Sequence, residues 1–328
     1  MIHVVILAFD GALASAITGV VDLFSLAGIS WNRIQKQAIA RQFKVSLASE
    51  DGQKVKCING LNIDVHLAFD QIKQADLFFI PTIGSEIQET LAKNKKLVQF
   101  IQKLKQSESD YLIAGNCTGN FFLAEAGMLN QRCATTHWGY KTLFEQRYPE
   151  VNLKTNKLIS QDGHIYCAGG GLAWFDLVLH LIERLCGFEV AIHTAKSFVL
   201  DYRRDNQLSY SLLHISHPHQ DSLVKDVQTW LEQHFAANIT LEELSIRFNV
   251  TTRTLIRRFN AVLGTTPNQY LQAIRIEAAQ KRLEETENSI DFVMHQVGYQ
   301  DASSFRRLFR KKTGLTPLEY RRRFGRRF

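Results

Sequence analysis

No two of the five cysteines, Cys57, Cys117, Cys133, Cys167 and Cys186, stand in C-x-x-C spacing, and their number is odd. That argues against a disulfide framework and fits a reduced, cytoplasmic setting. Cys133 and His137, four residues apart, would supply half of a metal site, but no second pair completes it. Neither zinc nor any other metal or cofactor is expected. No apolar run long enough to span a bilayer is free of charge; the stretch from Leu172 to Leu185 contains Asp176, His180 and Glu183. The apolar N-terminus has no basic leader and is interrupted by Asp10 and Asp22, which argues against a secretion signal. A membrane partner is therefore not expected.

What is present suffices for a folded protein of two domains. The chain has 328 residues, 45% of them hydrophobic, so it can bury a sizeable core. Its net charge of +7 is unevenly placed. Residues 1–220 carry 21 Lys and Arg against 20 Asp and Glu, whereas residues 221–328 carry 18 against 12. From Ala302 onward there are ten basic residues and one acid, Glu319. A polyanion-binding surface is thus expected at the C-terminal end.

That end is a repeat. Leu241, Leu244, Phe248, Asn249 and Val250 match Ile290, Val293, Val297, Gly298 and Tyr299; Leu255, Phe259, Gly264, Pro267 and Tyr270 match Phe305, Phe309, Gly314, Pro317 and Tyr320. Each copy reads as a helix-turn-helix. A short amphipathic helix ends at Asn249 or Gly298, residue types that tolerate a left-handed turn. A second helix then starts behind a polar cap, Thr251 or Asp301. It buries Leu255 and Phe259, or Phe305 and Phe309, on one face. The opposite face carries Arg253, Ile256 and Arg257 in the first copy and Ser303, Arg306 and Arg307 in the second, with Ala302 beside them. An apolar back and a basic front suit the major groove. Arg310, Lys311 and the tail Arg321–Arg323 are placed to hold phosphates. If about six phosphates are neutralised, log affinity should fall against log salt with a slope near −5.

The first two hundred residues alternate strand and helix. Val4–Phe9 reads as a strand buried on both faces, followed by a helix from about Ser15 to Ala27. Further strands are expected at Phe43–Ser49, Leu77–Ile80 and Tyr111–Gly115, with a polar helix over Asn94–Gln106 and another helix from near Thr118. The fold class is α/β, a mostly parallel sheet covered by helices on both faces, followed by an all-α domain. Such sheets bind ligands beyond the carboxyl ends of their strands. At one such end stands Gly115-Asn116-Cys117-Thr118-Gly119, the pattern of a nucleophile elbow with Cys at its apex. The glycines are expected to permit the sharp turn, and the following helix N-terminus to favour a thiolate or a bound anion. His137 is the nearest candidate base. His214, His217 and His219 fall in a polar connection over 205–221 and read as part of a linker between domains 1–204 and 222–328.

Two resemblances follow from these residues. Both helix-turn-helix units, the connecting helix Pro267–Glu284 and the closing Gly314-Leu315-Thr316-Pro317-Leu318-Glu319-Tyr320 resemble an AraC/XylS-type DNA-binding domain. Asn116 through Gly119, Leu123 through Gly127 and Ala134 through Trp138 resemble the class I glutamine amidotransferase-like superfamily of the PfpI type, whose fold is flavodoxin-like. The combination implies a transcriptional regulator that binds double-stranded DNA, acts on RNA polymerase, senses a small nitrogenous effector and dimerises through its first domain. It places the base contacts on Arg253, Ile256, Arg257, Ala302, Ser303, Arg306 and Arg307. It places the effector beside Gly84, Cys117, Thr118, His137 and Trp138, with Gly84 standing where related enzymes keep an oxyanion glycine. Those enzymes also hold a carboxylate against the cysteine; the matching position here is Ala16, while Asp22 matches a separate structural aspartate. The implied role of Cys117 and His137 is therefore binding rather than catalysis, the alternative being an active cysteine amidase, peptidase or hydratase.

Overall fold

The computed structural model describes residues 1–107, 110–202, 206–211 and 219–326; His214 and His217 lie outside them. Two compact units are found, Met1–Gln207 and Leu208–Phe328.

The first unit is built on a seven-stranded sheet. Its strands are β1 (Ile2–Leu7), β2 (Phe43–Ser49), β3 (Leu67–Ala68), β4 (Leu77–Ile80), β5 (Leu112–Asn116), β6 (Ile159–Asp162) and β7 (Ile165–Ala168), in the order β6-β7-β5-β4-β1-β2-β3. Every pairing is parallel except β6 with β7. Val4 to Leu7 and Leu77, Phe79 and Ile80 have no exposed surface, as strands covered on both faces require. The covering helices include α1 (Ser15–Leu26), α2 (Ile87–Lys93), α3 (Lys95–Gln106), α4 (Asn120–Glu125), α5 (Ala173–Cys186) and α6 (Phe188–Ser197). The alternation of apolar strand and helix thus gives the mostly parallel sandwich that it implies. Among the described residues no helix is long and apolar enough to cross a membrane.

The second unit is helical: α7 (Ser222–His234), α8 (Leu241–Arg247), α9 (Thr252–Leu263), α10 (Pro267–Glu285), α11 (Ile290–Gln296), α12 (Ala302–Thr313) and α13 (Pro317–Phe324). Each helix-turn-helix has its own core. Leu244, Leu255, Phe259 and Tyr270 pack with Val224, Val227 and Leu231 of α7. Val293, Val297, Phe305, Phe309 and Tyr320 pack with Ile276, Ala279 and Leu283. Helix α10 serves both cores, its first half giving Leu271 and Ile274 to one and its second half facing the other. At 19 residues it is about 28 Å long, enough to bridge two small cores.

The repeat also extends further back than the turn pattern marks. Val224, Val227, Gln228, Leu231 and Glu232 of α7 recur 52 residues later as Ile276, Ala279, Gln280, Leu283 and Glu284 of α10. Each copy is therefore three helices and a closing tyrosine. The two tyrosines repeat the same bond: Tyr270 donates to Glu232 at 2.7 Å and Tyr320 donates to Glu284 at 2.6 Å.

Candidate functional site

Strand β5 delivers Asn116 and then Cys117 at the carboxyl edge of the sheet. Cys117 itself takes the left-handed conformation, with φ +56°. That costs a side chain about 1–2 kcal/mol, so the surroundings must enforce it. They do: Thr136 Oγ1 donates to the Cys117 carbonyl at 2.8 Å, and Thr118 Oγ1 donates to the Ile83 carbonyl at 2.8 Å. Gly115 and Gly119 serve differently from the sequence expectation. Neither has a positive φ. A side chain at Gly119 would collide with the Pro81 carbonyl, and one at Gly115 with Asn120. They provide room, while the cysteine carries the turn.

Burial works against the thiolate that the sequence pattern favours. Burial pushes the Cys117 thiol up, against donors from Gly171, Thr118 and Thr82 that pull it down. The helix behind it, α4, has six residues and a correspondingly weak end charge. His137 lies half-buried with its ring against Gly170, and burial lowers its pKa. Its Nδ1 accepts from the Gly139 amide at 3.0 Å, which leaves Nε2 to carry the proton of the neutral ring. Its ring centroid is 5.2 Å from that of Trp138 and 5.8 Å from that of Tyr140. Among the described residues no hydrogen bond joins Cys117 to His137; Cys117 takes a bond from Gly171, and the His137 ring lies against the adjacent Gly170. Gly84 is exposed and its amide donates to the Gly11 carbonyl at 2.8 Å, so this amide is not free to receive an oxyanion. Ala16 is fully buried and Asp22 is exposed.

Two features escaped the sequence. Gln207, in the stretch read as linker, is buried in the first unit. Its amide nitrogen donates to the carbonyls of Thr136 at 2.9 Å and Thr155 at 2.8 Å, and its oxygen accepts from the Gly170 amide at 3.0 Å. It thus fixes both segments that hold His137; a lone polar residue gives no signal of this. A cavity of about 250 Å³ also lies beyond the carboxyl ends of β1 and β2, where Asp10, Ser49, Glu50, Asp51, Lys54 and Lys93 line it. No group of three or more metal-ligating side chains occurs among the described residues. His219, the described member of the histidine trio, pairs with Gln228 at 2.7 Å.

In the second unit the basic faces are exposed, as the spacing implied. Asn249 and Gly298 take φ values of +50° and +86°, and Thr251 and Asp301 cap α9 and α12 by accepting from Thr254 and Ser304 amides. Leu255, Phe259, Phe305 and Phe309 are at most 1% exposed. On the opposite faces Arg253, Arg257, Ser303, Arg306, Arg307, Arg310 and Lys311 are exposed, while Ile256 and Ala302 are half-buried. Ala302 packs against the second core. Arg306 reaches Asp291 at 3.5 Å, a solvent-exposed contact of small energetic weight. Arg258 is different: it forks onto Asp221 through bonds of 2.8 and 2.6 Å, tying α9 to the cap of α7. Of the adjacent arginines 257 and 258, only the first points outward.

Comparison with known proteins accounts for both units. The DJ-1/PfpI family matches residues 3–184, and a helix-turn-helix domain family matches residues 244–323. The HTH-type transcriptional regulator CdhR of Pseudomonas aeruginosa is 31% identical over 291 residues, covering 88% of this chain and 84% of the relative. The chain belongs to the AraC-type transcriptional regulators built on a DJ-1/PfpI domain. The HTH-type transcriptional regulator GbdR of the same species is 27% identical over 292 residues, 88% of this chain and 77% of that one. The fold of the first unit is shared with a crystal structure of an AraC family transcriptional regulator from Pseudomonas putida, with a TM-score of 0.50 and 20% identity over 60% of this chain and 100% of that one. In this AraC-type regulator the helix-turn-helix pair is the DNA-binding end, and α9 and α12 are its candidate reading helices.

Proposed function

We propose that this regulator reads a DNA site of two segments with α9 and α12, under the control of a small nitrogenous metabolite held beside Cys117 and His137. One observation carries the DNA assignment: each helix turns a buried apolar pair inward and an exposed basic face outward. Arg257 and Arg307 are suited to bidentate contacts with guanine, worth roughly 1–3 kcal/mol of discrimination each. Arg253, Arg306 and Ser303 lie beside them, and Ile256 and Ala302 offer apolar contact to a thymine methyl. Arg310 and Lys311, at the far end of α12, hold phosphates. Two such helices on one face of DNA enter groove segments about 34 Å apart.

For the first unit a binding role is favoured over catalysis. The thiol is raised rather than depressed, no hydrogen bond links it to His137, Ala16 brings no carboxylate, and the Gly84 amide is engaged elsewhere. A cysteine nucleophile needs the opposite on each count. A second copy joined through this unit, and RNA polymerase downstream, complete the proposed assembly.

The test is selection of bound duplexes from a random DNA pool, with and without a library of amino acids and amines. Enrichment of a two-segment site, altered by a library member, is the expected result. Thermal shifts by that compound that survive Cys117→Ala and His137→Ala unchanged would move the effector elsewhere, with the cavity beyond β1 and β2 as the next place to look.

A further inference from the structure

Helix α7 ends at His234, and the carbonyls beyond it need partners because no further turn of helix supplies them. Arg275, from the middle of α10, supplies two. Its Nε donates to the Phe235 carbonyl and its Nη2 to the Ala237 carbonyl, both at 2.7 Å. A cation at a helix C-terminus is also favoured by the helix dipole. The same guanidinium lies over the Tyr299 ring, 5.3 Å from its centroid. Tyr299 belongs to the turn of the second helix-turn-helix, two residues before Asp301, the cap of α12. One side chain therefore grips the first reading unit by its backbone and the second by an aromatic face.

Two neighbouring contacts make the junction stiff. A side chain at Gly298 would meet the Ala236 carbonyl at 2.7 Å, so the turn of the second unit rests directly on the 235–237 backbone. Phe235 packs against both cores. The junction is not part of the repeat: the positions matching Arg275 and Tyr299 in the first copy are Leu223 and Val250. Nor does Arg275 belong to the basic reading faces, since it is on neither α9 nor α12 and its guanidinium is committed to protein groups.

We propose that Arg275, clamped between the 235–237 backbone and Tyr299, is a positioning residue that fixes the spacing at which α9 and α12 meet DNA. It contacts no base, yet it decides which separation of the two segments is accepted. This rests on the reading of α9 and α12 as the two DNA-reading helices.

The full chain is tested on the duplex it selects from a random pool, on duplexes with one base pair added or removed between the two segments, and on two duplexes that each keep one segment. One base pair moves a segment by about 3.4 Å and about a tenth of a turn. The wild-type chain should lose about tenfold or more in affinity, about 1.4 kcal/mol, on the altered spacings. Arg275→Met keeps the apolar stem and removes the guanidinium. It should bind the selected duplex about tenfold more weakly, bind each single segment as the wild type does, and discriminate among spacings less than about threefold. Arg275→Lys, which keeps a cation over the ring, should recover part of the discrimination. Tyr299→Leu should relax spacing as Arg275→Met does, and it is the second variant should Arg275→Met fail to fold.

An unaltered spacing profile in Arg275→Met or Tyr299→Leu overturns the proposal. So does an equal loss on the complete and single-segment duplexes, which a merely structural role would give. Failure of the underlying reading looks different: Arg257→Ala and Arg307→Ala would then leave base preference unchanged.

Discussion

Tyr320 of the closing helix donates its hydroxyl to Glu284 of α10, 36 positions earlier in the chain, at 2.6 Å. Tyr270 makes the matching bond to Glu232 of α7. In both, burial holds the tyrosine hydroxyl above its ordinary pKa, and the adjacent glutamate adds to that, so each hydroxyl keeps its proton and donates it at physiological pH. Such bonds contribute about 1.5–3 kcal/mol. Tyr270→Phe and Tyr320→Phe should therefore each lower the stability of the second unit by about 1–2 kcal/mol, the half-buried setting trimming the range. Urea denaturation followed on the second unit checks this. Two variants indistinguishable from wild type would mean that the duplicated bond is incidental to the fold.

Arg307 and Lys311 lie one turn apart on α12, both exposed. A base contact and a phosphate contact are separable by what their loss does. Arg307→Ala should relax the preference at one base pair, costing about 1–3 kcal/mol on the selected sequence and little on others. Lys311→Ala should weaken all sequences alike and reduce the salt slope by about one. Binding to a panel of single-base variants at several salt concentrations separates the two. An Arg307→Ala protein with unchanged specificity would remove this arginine from the reading face.

Much of this regulator is legible in its sequence because local signals carry it. Thr251 and Asp301 announce helix starts, Asn249 and Gly298 announce turns, and the paired Phe and Leu residues announce which face is buried. Other features depend on partners far along the chain. The Gly84 amide is taken by Gly11, which no spacing rule can reveal. Strand β6 reads Ile-Ser-Gln-Asp, too short and polar to stand out, and is a strand because β7 pairs with it in an antiparallel register. That α7 is an earlier copy of α10 is not legible because Val-x-x-Val-Gln-x-x-Leu-Glu and Ile-x-x-Ala-Gln-x-x-Leu-Glu carry no turn residue to mark the register. Gly298 shows the two kinds of information at one position. Its left-handed turn was legible, while its close rest on Ala236 was not.

Burial lowers the pKa of His137, His164 and His180, in the last two with opposing or reinforcing charge from neighbours: Arg132 and Asp110 around His164, Glu183 and Arg184 around His180. The folded first unit thus keeps these rings neutral below the pH at which an unfolded chain protonates them, about 6.5. The unfolded state then binds more protons, so stability is intact above about 6.5 and falls as pH drops through that value toward the lower folded pKa values. The first-unit transition in thermal denaturation should move down between pH 7.5 and 5.5, a window above most carboxylate titration. His137→Gln combined with His180→Gln should flatten that dependence. A transition that is flat in the wild type, or equally steep in the double variant, contradicts the assignment.

The last prediction concerns Cys117, whose backbone has the apex geometry of a nucleophile while burial pushes its thiol up. Below its pKa a thiol gains thiolate tenfold per pH unit, and alkylation by iodoacetamide follows the thiolate. Because burial raises Cys117 above its ordinary value of 9.0, the alkylation rate of its peptide should climb about tenfold per unit from pH 7 through pH 9 without levelling off. Digestion and mass spectrometry isolate this cysteine from the half-buried Cys133 and Cys186, which are nearer the surface. A plateau near pH 6 or 7 would mean a thiolate stabilised at rest, as a cysteine enzyme requires. The climb without a plateau would mean that no thiolate is stabilised at rest, and that the left-handed strain at Cys117 is held by Thr136 and Thr118 without a nucleophile to present.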